Sequence, residues 1–206
     1  MISTFMSGLA APSDTALSPV LRTIENHWAS MRNDHNVPLR HAVDPVQIDH
    51  ALPYTFTLQH VATGVARLRI AGQKLHDLLN MDPRGMPISA FFAPADRAVL
   101  ATHIELAFAE PAIIALPLRS SGGILRKPVT GQILFLPLAD ELGGVTRILG
   151  GLVTNGALGA WNRRLHIDAA KPIRFDPINM AAPVPHMQKR PDTVKRPTLQ
   201  LVVNNG

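Results

Sequence analysis

A chain of 206 residues, 46% of them hydrophobic, is long enough to bury one core of ordinary domain size and still leave roughly 30 to 60 residues as arms. It has no cysteine, which excludes disulfides, thiolate catalysis and thiolate zinc sites together and fits a reducing compartment. The net charge of +5 is local: residues 1–170 carry 14 Lys and Arg against 13 Asp and Glu, whereas residues 171–206 carry 6 against 2, so the basic character belongs to the tail.

Residues 1–17 are small and polar without a period and are expected to form a flexible arm. They lack the basic start and continuous apolar stretch of a signal peptide. No run in the chain approaches the roughly 20 apolar residues of a membrane helix. The expectation is a soluble, cytoplasmic protein without membrane contact. Ser18-Pro19 is an N-cap and first-turn pair, and Leu21, Ile24, Trp28 and Met31 recur at helical spacing, predicting an amphipathic helix from Pro19 to about Arg32. Asp44-Pro45 caps a short second helix reaching Ala51 or Leu52.

Strand signals follow. Tyr54, Phe56 and Leu58 alternate with polar residues, Ala62-Thr63-Gly64 makes a turn, and in Val65–Ala71 the residues Ala66, Leu68 and Ile70 face one way while Arg67 and Arg69 face the other. Residues 73–93 hold short helical turns and loops. Pro94–Ala109 is the clearest helix, with Asp96 in its first turn and an apolar stripe of Val99, Leu100, His103, Ile104, Ala107 and Phe108. Ala112–Leu118 is β-compatible. Ile133–Leu136 and Val145–Val153 form a second hairpin, antiparallel because a parallel return needs a crossover of about a dozen residues or more. Past Leu158 the pattern weakens: Trp161–Ile167 allows a short helix or strand, and the proline-rich residues beyond Lys171 read as extended or disordered.

The residues Trp28 with Arg32, Pro38-Leu39-Arg40 leading to Asp44-Pro45, Arg67-Leu68-Arg69-Ile70-Ala71-Gly72, Leu136-Pro137-Leu138 and Arg147-Ile148-Leu149-Gly150-Gly151 resemble the PAS superfamily. More narrowly, they are similar to a group of bacterial PAS-like proteins of about this length (the PAS fold family 5 type). The resemblance spans about residues 20–153. It implies an α+β fold in which a five-stranded antiparallel sheet of order 2-1-5-4-3 carries short helices and one long connector helix on one face, joined here by the N-terminal amphipathic helix. The domain boundaries expected are an arm over 1–17, a PAS-like domain over 18–158 and a largely disordered basic extension over 159–206. Gly72 reads as a positive-φ or close-approach position, Pro137 as an edge or irregularity, and Trp28 as the residue fixing the N-terminal helix to the sheet. Where the group has a glycine and small polar residues after the second strand's short helix, this chain has Asn80-Met81-Asp82-Pro83-Arg84-Gly85.

A small-molecule pocket on such a fold would be walled by Phe56, Leu68, Ile70, Leu75, Leu78, Phe91, Phe92, Leu100, His103, Ile104, Phe135 and Ile148, and the same residues would line a solid core. Some PAS domains hold haem through a histidine on the helix corresponding to that of His103. A single histidine at helical spacing nevertheless reads more readily as a packed residue, and no cysteine exists for photosensory flavin attachment. Arg67 and Arg69 could bind a carboxylate or phosphate, or simply cover a solvent-facing or partner-facing sheet surface with their stems. His35, His41, Asp44, Asp49 and His50 fall close together without a metal-ligand spacing and read as a loop with capping aspartates. Gly143-Gly144 and Gly150-Gly151 lack the Lys and Ser/Thr of a phosphate loop and read as turn and bulge glycines. Ser120-Ser121 lacks a nucleophile elbow.

These features predict a non-enzymatic PAS-type sensory or regulatory domain. It would dimerise through the N-terminal helix and the sheet face and respond to a ligand or a signalling partner. A second reading is a small-molecule-binding enzyme or carrier on the same fold, using His103 with Arg67 or Arg69. A third, less favoured, is nucleic-acid or acidic-partner binding through the basic tail.

Overall fold

A computed structural model describes residues 16–32, 37–120, 128–156 and 164–178. Ser18 caps the first helix as its sequence promises: the hydroxyl accepts from the Leu21 amide at 3.3 Å, with Pro19 in the first turn, and α1 runs Pro19–Ser30. Two 3-10 segments follow, Arg40–Ala42 and Pro45–Tyr54, the second capped by Asp44 and kinked at Ile48. Then come β1 (Thr55–Ala62), β2 (Val65–Ala71) and α2 (Gln73–Leu79). Short 3-10 turns at Ile88–Phe91 and Pro94–Asp96 lead into α3 (Arg97–Ala109), and β3 (Ala112–Ser120), β4 (Val129–Ala139) and β5 (Val145–Thr154) complete the expected set.

The five strands pair antiparallel in the order β2-β1-β5-β4-β3, so the fold is α+β with the sheet order that the resemblance implies. The sheet does not stop there. β6 (His166–Ile167) and β7 (Arg174–Pro177) both pair with the outer edge of β3. Among the described residues the sheet therefore runs on past residue 158, to Pro177. β3 is apolar and buried along nearly its whole length. Such an edge, left with open amides and carbonyls, is covered by later chain segments too short to show a period. Nothing in the described residues bears on the arm over 1–15 or on the tail beyond 178.

Both faces of the sheet are covered. On the inner face Ile114, Leu116, Ile133, Phe135 and Ile148 pack with Leu100, Ile104 and Ala107 of α3 and with Phe91 and Phe92. On the outer face Leu134, Leu136, Leu138 and Leu149 pack with Leu21, Ile24 and Trp28 of α1 and with Ile48. Those three α1 side chains are fully buried, each worth about 1.5–3 kcal/mol of apolar transfer. Gly150 and Gly151 lie where both layers come closest. A Cβ on Gly150 would overlap the Phe56 ring from within, and one on Gly151 would meet Leu21 and Ile24 of α1 from without. They are close-approach glycines inside a strand, not turn or bulge positions.

The ladder of β1 on β2 slips between Thr57 and Leu58, so that Thr57 faces Ile70 while Leu58 faces Leu68 and Arg69 is the extra residue. A bulge of this kind reverses the alternation beyond it. Ala66 and Leu68 therefore point into the inner core, but Ile70 turns outward and is 60% exposed. At the strand's end Gly72 keeps a negative φ. It is required for space, because its absent Cβ would stand against the Leu52 and Pro53 carbonyls.

Candidate functional site

Nine of the twelve expected pocket walls, Phe56, Leu68, Leu75, Phe91, Phe92, Leu100, Ile104, Phe135 and Ile148, are buried in one contiguous cluster, with Leu78 packed partly against it. They touch one another across the space a ligand would take, as the edge-on contact of Phe56 and Phe135 at 6.1 Å between centroids shows. Ile70 and His103 do not join them. Ile70 is turned out by the bulge. His103 is half-buried on the flank of α3, beside the core-facing arc, and its Nδ1 donates to the Val99 carbonyl one turn earlier at 2.8 Å. Val99 itself is exposed.

These residues do not fit haem or flavin. His103 lies at the flank of α3 with its Nδ1 already donated to the Val99 carbonyl. The buried polar side chains among the described residues are His27, Thr55 and Ser120; Ser120, two residues beyond Leu118 and in register with Val129, is on the inner face, and no buried side-chain nitrogen or oxygen there lacks a partner. Apart from Ser120, the buried described side chains of that face are apolar, so a flavin ring edge or haem propionate would find little there to hydrogen-bond. Two histidines do pair with carboxylates, each in a tying role. His166 Nδ1 donates to Asp96 Oδ2 at 2.8 Å, fastening β6 to the start of α3. Glu105 accepts from the Gly64 amide at 2.7 Å and lies 3.3 Å from His60 Nε2, fastening the β1–β2 turn to α3. The Gly64 amide first, and then His60, hold the Glu105 carboxyl below the usual range.

Of the histidine and aspartate residues of 41–50, Asp44, Asp49 and His50 are engaged locally. Asp44 accepts from the Val46 amide, Asp49 lies beside the exposed His50, and no group of three ligating side chains converges among the described residues. His35 lies outside those residues, as do Ser121 and Trp161. Ser120 is a buried residue at the end of β3.

A different place gathers charge. The segment after α1 runs beside the end of β4: the Ala139 amide donates to the Pro38 carbonyl at 2.9 Å, and Leu39 bridges Ala139 in parallel. This happens where the β3–β4 ladder has already ended, at Ile114 and Phe135, so Pro137 sits at an effective edge as expected. The crossing leaves a cleft of about 330 Å³ between Arg40 and His41 on one wall and Ala139–Leu142, Thr146 and Arg147 on the other. Arg147 pairs in register with Gln59 of β1, to which Arg69 Nε donates, so Arg69 stands on the same outer face. Arg67 is spent elsewhere, donating to the Gly85 carbonyl at 2.8 Å. Arg147 is half-buried. Its pKa is pushed down first by that burial and then by Arg40 and Arg69, with Asp140 alone opposing. Asp140 is itself occupied by the turn, its Oδ1 accepting from the Leu142 and Gly144 amides at 3.0 Å each. Sequence reasoning found Arg69 of this group and read His41 otherwise. Arg40 and Arg147 stood in the motifs that carried the resemblance, but nothing local links residues more than a hundred apart.

The PAS domain family matches residues 17–153. The chain belongs to the PAS domain family. That makes it a sensory signalling module of the PAS type, a fold whose members are in general not enzymes. Among solved structures, one described under "Flavin Analogue Sheds Light on Light-Oxygen-Voltage Domain Mechanism" is 13% identical, covers 53% of this PAS domain chain and 82% of its own, and gives a TM-score of 0.39. A second, "Structure of an RNA-binding Light-Oxygen-Voltage Receptor", is 14% identical with a TM-score of 0.39; the match covers 59% of this chain and 35% of that one. No curated protein matches the chain. No helix among the described residues is long and apolar enough to cross a membrane.

Proposed function

We propose that this PAS domain is a non-enzymatic regulatory module of the cytoplasm that passes its signal through surface contacts with a protein partner, including a second copy of itself, and not through a cofactor held on the inner face. The observation that carries this reading is the filled inner face: Phe56, Phe91, Phe92 and Phe135 occupy it and are fully or almost fully buried. The histidine and carboxylate pairs, His166–Asp96 and His60–Glu105, serve as ties between elements. The apolar stripe of α1 is already used on its own sheet, which leaves the outer face of β1–β2, with Ile70 and Val61 exposed, as the sheet surface open to a second copy.

Native mass spectrometry and light scattering of protein purified from cells test the reading together. The expected result is a dimer of the 22.3 kDa chain without added mass and without visible absorption. A stoichiometric bound mass displaced only on unfolding would overturn it, because such a molecule must sit inside the core. The competing enzyme or carrier reading requires His103→Ala to abolish a turnover or a ligand; the flank position of His103, with its Nδ1 held by the Val99 carbonyl, weighs against that outcome.

A further inference from the structure

We propose that the outer face of β1–β2 is one half of a self-complementary surface, on which the β4–β5 turn of a second copy of the chain sets Glu141 against Arg69 and Leu142 against Ile70. This pairing rests on the reading that the domain associates with a second copy, whose contacts it specifies.

Three observations carry it. First, strand register makes the face basic. Gln59 of β1 pairs with Arg67 of β2 on one side and with Arg147 of β5 on the other, so both arginines stand beside it on one face. Arg69 reaches the same spot, its Nε donating to the Gln59 side chain. From Thr55 to Ala71 the chain carries no Asp or Glu, and none of the three arginines forms an ion pair with a described carboxylate. Second, uncovered apolar groups adjoin the charges on both halves. Ile70 is 60% exposed on the face, and Leu142 is 95% exposed at the turn. Its neighbour Glu141 is an exposed carboxylate without an ion pair among the described residues. Third, the turn is held ready. Asp140 Oδ1 accepts from the Leu142 and Gly144 amides at 3.0 Å each, and the Asp140 amide donates to the Gly144 carbonyl at 2.9 Å. Asp140 therefore fixes the turn and leaves Glu141 and Leu142 to the outside. A preset loop loses little freedom when it docks.

A second copy fits both halves at once. The turn ends where β5 begins, at Val145, two residues from Arg147 of the basic face, about 7 Å along a strand. A two-fold axis between face and turn brings each turn onto the other copy's face, so that every contact is made twice. Stacking the two faces directly would set the arginines against one another, which like-charge repulsion disfavours.

Sedimentation velocity of the full chain over a concentration series tests the pairing. The variants are Arg69→Glu, Glu141→Arg, the double variant with both reversals, Leu142→Ser and, as a control, Glu110→Arg, an exposed carboxylate just past α3. The expected result is a dimer whose dissociation constant rises about tenfold or more in each single reversal and in Leu142→Ser. The double variant should return to within about threefold of the parent, because the two charges exchange places. Glu110→Arg should associate like the parent. A parent that stays monomeric throughout overturns the pairing together with the self-association reading, and leaves the basic face to an acidic partner of another sequence. A dimer that no substitution at Arg69, Glu141 or Leu142 weakens overturns the pairing alone. So does a double variant no tighter than the single reversals, and so does an equal loss in Glu110→Arg, which would show general charge effects. Should Arg69→Glu fail to fold, Glu141→Arg and Leu142→Ser, both on the exposed turn, decide without it.

Discussion

The indole Nε1 of Trp28 donates to the carbonyl of Pro137 at 2.8 Å in a fully buried contact that joins the N-terminal helix to the fourth strand across 109 residues of sequence. It satisfies a carbonyl that the β3–β4 ladder has left behind, at a proline that cannot donate in return. Trp28→Ala removes both the largest side chain of the outer core and that donor and is expected to cost about 3–5 kcal/mol. Trp28→Phe keeps most of the volume but orphans the carbonyl, at about 1–3 kcal/mol. Urea unfolding followed by circular dichroism measures both. Equal costs for the two would mean that the hydrogen bond contributes nothing.

Tandem glycines on β5 separate the two layers by different means. A methyl at Gly150 would run into the Phe56 ring and stand 2.6 Å from the Leu134 carbonyl, neither of which can retreat. At Gly151 it would meet the terminal methyls of Leu21 and Ile24, at 2.5 and 2.6 Å, which can shift with α1. Gly150→Ala is therefore expected to destabilise by about 3 kcal/mol or more and Gly151→Ala by about 1–2 kcal/mol, in that order. Thermal unfolding of the two variants reads the ranking directly, and the reverse order would place the tighter packing on the α1 side.

Ile70 shows where periodicity stops being a guide. Alternation along Val65–Ala71 places Leu68 and Ile70 on one face, and that reading is right for Ala66 and Leu68. The bulge at Arg69 reverses it for Ile70, and no residue in the strand announces a bulge, since Arg69 is neither glycine nor proline. The expected measure of this is an asymmetry: Leu68→Ala should cost about 2–5 kcal/mol, whereas Ile70→Ala, at a position 60% exposed, should fall within about 0.5 kcal/mol. Comparable losses would restore the unbulged strand.

What the sequence displayed well were features set by neighbours along the chain: the Ser18-Pro19 cap of α1, the Asp44 cap, the helix ending before Pro111 and the five strands. What it hid depends on distant partners. β7 has four residues and owes its existence to the open edge of β3. Arg40 and Arg147 meet only because Leu39 lies beside Ala139. His103 falls within the apolar period of α3, yet sits just outside the arc that the sheet covers.

Acid should loosen the β1–β2 turn through Glu105. Its folded pKa is depressed, chiefly by the Gly64 amide and secondly by His60. The carboxylate therefore contributes stability that is complete above the ordinary glutamate range and is lost as the pH falls through the lower folded value. Glu105→Gln keeps the shape without the charge, so its melting temperature should decline less steeply below the ordinary glutamate range than that of the parent. Parallel acid limbs in the two proteins would show that another group governs the loss.

The last strand is fastened by charge where its hydrophobic content is too small to do so. Arg174 of β7 donates from Nη1 and Nη2 to both carboxylate oxygens of Glu25 on α1, at 3.0 and 2.7 Å, and from Nε to Asp176 at 2.7 Å. The Arg174 and Glu25 side chains are about four-fifths buried, and the fork geometry raises the arginine pKa, first through Glu25. Removing one partner of such a pair leaves the other charge uncompensated, which costs more than the pair contributes net. Arg174→Met should thus destabilise by about 2–4 kcal/mol, and Glu25→Gln, which keeps acceptor and volume, by about 1 kcal/mol. Because the described strand partner of β7 is the edge strand β3, the loss should appear first as local opening. Amide exchange at Phe175 and Asp176 and at the facing β3 residues should quicken in Arg174→Met before the Leu134–Leu136 amides of β4 respond. Simultaneous quickening everywhere would make the ion pair a part of the global core and not a local latch for the strand.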